Sequence, residues 1–137
     1  MINVVIDTNV LVSALSSKSA YHWLIQALLN ERFQLLITDE ILLEYEEILR
    51  KKYTEAVASN FLIALKELPN VNFTHVYFRW NLIQDQDDNK FVDCYVASGA
   101  QYLISHDSDF SVLKAVPFPK VNVLKIEEFQ LILAKAE

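Results

Sequence analysis

From end to end the chain alternates short, β-branched apolar runs with stretches of helical spacing. That alternation restricts its possible folds more than any other property. "INVVI" (2–6) has the length and composition of a buried parallel strand. A helical stretch is predicted from about Ser19 to Asn30. "QLLI" (34–37) reads as a second strand, with Thr38 or Asp39 placed to cap the helix "EILLEYEEILRKKY". Another helix is predicted from roughly Glu55 to Leu68, ending at Pro69, and the alternating "NFTHVYF" (72–78) predicts an edge strand. Asp88 is expected to cap a helix that runs to about Gly99, its natural stop. "QYLIS" (101–105) reads as a strand, "SDFSVLK" as a short turn or helix, "VNVLKI" (121–126) as a last strand and "EEFQLILAKA" as a last helix. Strands alternating with helices imply an α/β fold, a mostly parallel sheet covered on both faces.

A chain of 137 residues fits one domain, residues 1–137, and 53% apolar with 22% charged residues is a globular composition. No apolar run approaches the roughly 18 residues of a membrane span, so no membrane association is expected. "MINVVIDTNVLVSAL" lacks a basic leader and is interrupted by Asp7, which argues against a signal peptide. The single cysteine, Cys94, fits a reducing, cytoplasmic setting. Gly99 is the sole glycine, so the Gly-rich loops that cradle mononucleotide phosphates are excluded.

The net charge of −6 is concentrated. Six acids (Asp85, Asp87, Asp88, Asp93, Asp107 and Asp109) stand against one base, Lys90, between Gln84 and Asp109. The rest of the chain, with twelve acids and eleven bases, is nearly neutral. An acidic chain is an unusual nucleic-acid binder, because phosphate affinity ordinarily comes from Lys and Arg. Divalent cations bound at the acidic focus would reverse that local electrostatics.

In parallel sheets, ligands bind outside the carboxyl ends of the strands, where strand order reverses. Asp7 directly follows the first strand, and Asp107 and Asp109 follow "QYLIS". The Glu44 helix follows the second strand, and Asp88 opens the helix that leads to the fourth. Four distant segments therefore bring acids to one rim. At an effective dielectric of about 20, two unit charges about 4 Å apart repel by roughly 4 kcal/mol, so some of these acids are protonated or a cation is bound. Oxygen ligands without thiolates or a histidine cluster favour Mg2+ or Mn2+ over zinc. Such an ion activates water and offsets charge on a phosphodiester undergoing hydrolysis.

The blocks "VVIDTNVLVSAL", "LLITDEILLEYEEIL", "DQDDNKFVDCYVASGA" and "YLISHDSDF" together resemble, in order, the PIN-domain family, and within it the small bacterial toxin-type (VapC-like) PIN ribonucleases. The resemblance covers nearly the whole chain. It implies a three-layer α/β/α sandwich and an Mg2+- or Mn2+-dependent endoribonuclease that acts as the toxin of a toxin–antitoxin system. Matched position by position, the acidic quartet is Asp7, Glu44, Asp88 and Asp107. Asp7, Asp88 and Asp107 would bind metal, with Glu44 as a ligand or as the group orienting the attacking water. Asp93 and Asp109 match further acidic positions, and Asn9 and Ser105 match polar support positions. Gln86 stands where many relatives carry proline. The resemblance also implies an RNA substrate, a homodimer and a cleft-covering antitoxin protein.

Plainer readings compete. Asp7 can be a turn residue and Asp88 an N-cap, although capping explains one aspartate and not three within four residues. Against the apolar stripe of Ile41, Leu42, Tyr45, Ile48 and Leu49, helical periodicity puts Glu44 and Glu46 on opposite flanks and does not choose between them; the family match selects Glu44. Asp85 and Asp87 read as loop acids, His106 as an incidental loop histidine, and Asp109 as part of a self-bonded turn in "HDSDF". Two other functions are open. An aspartyl phosphotransferase or phosphatase would use Asp7 as nucleophile, yet the phosphatase version wants a second aspartate where Asn9 stands, and a receiver domain wants an acidic pair early in the chain. A non-catalytic PIN-like binding module would leave the four acids without work.

Overall fold

Asn3–Ile6 forms strand β1, and Val4, Val5 and Ile6 are fully buried, as β-branched residues in a strand covered on both faces should be. The computed structural model describes residues 1–136. After β1 come helices α1 (Thr8–Ala14) and α2 (His22–Leu29), strand β2 (Gln34–Ile37), and helices α3 (Asp39–Lys52) and α4 (Glu55–Glu67). Strand β3 (Val71–Phe73), helix α5 (Gln86–Ser98), strand β4 (Tyr102–Ile104), a 3-10 helix (Ser108–Ala115), strand β5 (Val123–Leu124) and helix α6 (Ile126–Lys135) complete the order.

The strands form one sheet in the order β3-β2-β1-β4-β5, and every pairing is parallel. β1 lies at its centre, with Val4 opposite both Leu35 of β2 and Tyr102 of β4. Helices on both faces make a three-layer α/β/α sandwich, as expected. The chain moves outward from β1 to β3 and then crosses back to add β4 on the other side of β1. The carboxyl ends of β1 and β4 therefore flank the point where strand order reverses.

Local chemistry explains the helix boundaries. Thr38 Oγ1 accepts a hydrogen bond from the Ile41 amide and caps α3, a contact worth about 1 kcal/mol. Ile41, Tyr45 and Leu49 follow at helical spacing and are fully buried. Tyr45 sends its hydroxyl to the Ile6 carbonyl at 2.5 Å, so α3 is tied to the end of β1. α5 ends at Gly99, whose φ of 71° lies in the left-handed region that glycine adopts without strain. Among the described residues, no helix is long and apolar enough to cross a membrane.

Four expectations need correction. α1 was not anticipated, and it begins immediately after Asp7. The expected edge strand over 72–78 is reduced to Val71–Phe73; it does hold the sheet edge, beside β2, but β2 ends at Ile37 and offers nothing to pair with past Thr74. The last strand contracts to Val123–Leu124. The cap of α5 is Asp85, whose side chain accepts from the Asp87 amide, and Asp88 sits inside the first turn.

Candidate active site

The turn from β1 into α1 leaves Asp7 at the rim with only 5% of its surface exposed. Its Oδ2 accepts a hydrogen bond from Ser105 Oγ at 2.8 Å, and the Asn9 amide also supports the carboxylate. Ser105, itself buried, accepts from the Asp107 amide at 3.0 Å. One hydroxyl thus fixes Asp7 against the segment that carries Asp107. Burial holds the Asp7 carboxyl above its ordinary range, against those two hydrogen bonds and with a smaller push from Asp107 and Glu44.

α5 delivers Asp88 from the other side. Its carboxyl is pushed up to about 7, first by desolvation and then by Asp107, Asp85, Asp7 and Asp109. Its Oδ2 is buried without a hydrogen-bond partner among the described residues. Asp85, Asp88 and Asp109 each bring a carboxylate oxygen to within 4.8 Å of the others. Asp88 is therefore the hinge between two acid sets, Asp7 with Asp107 and Asp85 with Asp109. Asp107 Oδ1 caps the 3-10 helix through the Asp109 amide, which joins the two sets along the chain.

Glu44 projects from α3 next to these acids, and both of its oxygens are held. Thr8 Oγ1 donates a short hydrogen bond to Oε1, and Lys90 Nζ lies 2.5 Å from Oε2. A cleft of about 310 Å³ opens over Asp7 and Asp107, lined also by Asn9, Val10, Ser13, Tyr21 and His106. His106 is occupied there: its Nε2 accepts from the Ile126 amide at 3.1 Å.

Asp93 goes elsewhere. It is 2% exposed, its Oδ1 accepts from the Trp80 amide at 2.9 Å, and its charged neighbours are Arg79 and Glu40 rather than the rim acids. It lines a separate pocket with Thr38, Thr74, Arg79 and Lys90. Three residues passed over in the sequence join the site: Thr8, Lys90 and Asp85. Lys90 carried one signal, being the single base in the acidic window, and Asp85 carried another, being an Asx residue just ahead of the α5 pattern.

The donor set is all oxygen, it contains a buried carboxylate oxygen with no partner among the described residues, and its charges repel. Those properties suit a hard divalent cation and do not suit a thiolate- or imidazole-bound metal.

Against solved structures, the chain is similar to VapBC2 from Rickettsia felis bound to a DNA fragment from their promoter, at 14% identity over 90% of this chain and 98% of that one, with a TM-score of 0.61. It is also similar to Mycobacterium tuberculosis VapC20, described as a Sarcin-Ricin loop cleaving toxin, at 17% identity over 86% of this chain and 98% of that one, with a TM-score of 0.60. The PIN domain endonuclease Utp24 matches at 15% identity over 90% of this chain and 84% of that one, with a TM-score of 0.54. At these identities the likeness speaks for the fold. No curated protein sequence matches the chain. A sequence profile of the PIN domain matches residues 3–109, which span β1 through the start of the 3-10 helix and include every acid of the rim. The chain belongs to the PIN domain family.

Proposed function

We propose that the protein is a divalent-metal-dependent endoribonuclease and the toxin of a toxin–antitoxin pair. The observation that carries this reading is the buried, unpartnered Oδ2 of Asp88, set where Asp7, Asp85, Asp107 and Asp109 all press on one carboxyl. A basic side chain or a hydrogen-bond donor would relieve that crowding if the acids were structural. A bound Mg2+ or Mn2+ relieves it directly and supplies activation of water together with charge offset on the scissile phosphate.

Asp7, Asp88 and Asp107 would hold the ion, with Asp109 and Asp85 adding negative potential from the far side of Asp88. Ser105 keeps Asp7 and the Asp107 backbone in register, and Asn9 lines the cleft where the RNA backbone would pass. No covalent nucleophile is required. The phosphotransferase alternative still lacks its second acid, since Asn9 occupies that place and lines the same cleft. The likeness to a VapBC complex and to a toxin that cleaves the Sarcin-Ricin loop supports an RNA substrate and an antitoxin partner. Action as a homodimer in the cytoplasm belongs to the same reading.

Purified protein should cut RNA with Mn2+ or Mg2+, stop on addition of EDTA, and lose cleavage in Asp7→Asn and Asp88→Asn variants that remain folded. Undiminished cleavage by Asp7→Asn protein would overturn the reading.

A further inference from the structure

Lys90 is an unusual lysine. Its side chain is 10% exposed, and its ammonium is 2.5 Å from Glu44 Oε2 and 2.6 Å from the Asp87 carbonyl, with the Phe91 ring 5.3 Å away. Burying an ammonium is costly unless it is paired and hydrogen-bonded, so these partners explain why it stays. It sits two residues beyond Asp88 on α5 and reaches across to α3. On the opposite side of Glu44, Thr8 donates to Oε1, from the first position of the helix that Asp7 opens.

We propose that Lys90 is a positioning residue for Glu44: with Thr8 it occupies both carboxylate oxygens, keeps Glu44 out of direct contact with the divalent ion, and leaves it to orient the attacking water. This rests on the nuclease reading and chooses between the two roles, ligand or water-orienting group, that the family resemblance allows Glu44. An ammonium and a divalent cation repel when they share a carboxylate oxygen, so the Lys90 contact disfavours Glu44 as a ligand. A carboxylate fixed by two side chains from different elements is also preorganised to hold a water molecule at a defined point.

Two consequences separate this role from a purely structural ion pair between α3 and α5. Removing the ammonium takes a positive charge from beside the acids and frees Glu44, and both changes favour cation binding. It also lets Glu44 wander, and that disfavours turnover. Mn2+ affinity, read by electron paramagnetic resonance titration, should therefore become about three- to tenfold tighter in Lys90→Gln. Turnover of RNA at saturating Mn2+ should fall by about tenfold or more in the same protein. Lys90→Arg should restore near-wild-type Mn2+ affinity and part of the turnover. Glu44→Gln should lower turnover while weakening Mn2+ binding by at most about tenfold, whereas Asp7→Asn should remove it.

Folded Lys90→Gln protein that binds Mn2+ no more tightly overturns the proposal. So does a Glu44→Gln variant that loses Mn2+ as Asp7→Asn does, and this arm decides the matter if Lys90→Gln fails to fold. Wild-type protein that binds no Mn2+ overturns the nuclease reading and this proposal together. Mn2+-dependent cleavage by wild type with the wrong signs in the variants overturns this proposal alone.

Discussion

Ser105 Oγ stands between two acids of the rim: it donates to Asp7 Oδ2 at 2.8 Å and accepts from the Asp107 amide at 3.0 Å. It joins the carboxyl ends of β1 and β4 with a single atom. Ser105→Ala should leave buried Asp7 one donor short and cost about 1–3 kcal/mol by urea denaturation, together with a marked loss of cleavage. Ser105→Thr retains the hydroxyl and should recover most of both. Equal stability of the Ala variant and wild type would count against this bridge.

The acid crowding sets a pH dependence. Asp88 titrates near 7 in the folded protein, above its unfolded value near 3.8. Between those values the folded state binds more protons than the unfolded one, so stability falls as pH rises through that window. In EDTA, the melting temperature should therefore decline from pH 5 toward pH 8. Asp88→Asn should flatten the decline, and added Mn2+ should raise stability most at the alkaline end. A melting temperature that climbs with pH in EDTA would refute it.

Asp85 combines a cap with a charge, and two substitutions separate them. Asp85→Asn keeps the acceptor for the Asp87 amide, so α5 should hold its stability while cleavage falls by about three- to tenfold from the lost negative potential. Asp85→Ala removes both and should cost about 1 kcal/mol more. Thermal melts beside cleavage rates distinguish the two effects.

Cys94 is fully buried on α5, with its thiol directed to the Leu36 carbonyl at 3.6 Å and its pKa pushed up to about 12 by desolvation. Ellman's reagent at pH 8 should react with the native protein slowly, and rapidly after denaturation. Fast labelling of folded protein would show that α5 opens locally.

Gly99 offers a backbone test with no packing component, because a Cβ added there meets nothing within 4 Å. Gly99→Ala should still cost about 1 kcal/mol, from the left-handed φ alone. A fall of several degrees in melting temperature would register it.

The strands at the sheet centre were legible because a buried parallel strand leaves a continuous apolar run: β1, β2 and β4 fall inside "INVVI", "QLLI" and "QYLIS". α1 was hidden for the converse reason. Thr8, Val10, Leu11, Val12 and Ala14 are all buried, so the helix shows little polar face, and its β-branched residues imitate a strand. The segment past Phe73 alternates without pairing; its aromatic residues gather instead, with Phe78, Trp80 and Phe118 meeting edge to face. At the rim, Asp7, Glu44, Asp88 and Asp107 do converge; strand order suggested this for Asp7, Asp88 and Asp107, and the family match chose Glu44 over Glu46. Asp93 was ambiguous because helical phase is cumulative. Five residues beyond Asp88 at about 100° each turn it roughly 140° away, and toward the face of Lys90 instead. Which residues hold Glu44 was not legible, since Thr8 and Lys90 meet it only through tertiary packing.

The place of β1 at the centre of the sheet has a consequence for biosynthesis. Its partner β4 lies about a hundred residues later, with Val4 opposite Tyr102, and Asp107 follows after that. At a translation rate of about 5–20 residues per second, Asp7 leaves the ribosome many seconds before Ser105 can reach it. Until then the first strand has one neighbour at most, its rim acid has no hydroxyl to hold it, and the acids of α5 have no opposite wall. A nascent or prematurely terminated chain therefore carries the residues of the centre without the centre itself. The acids can meet only once the chain has been made past Asp107.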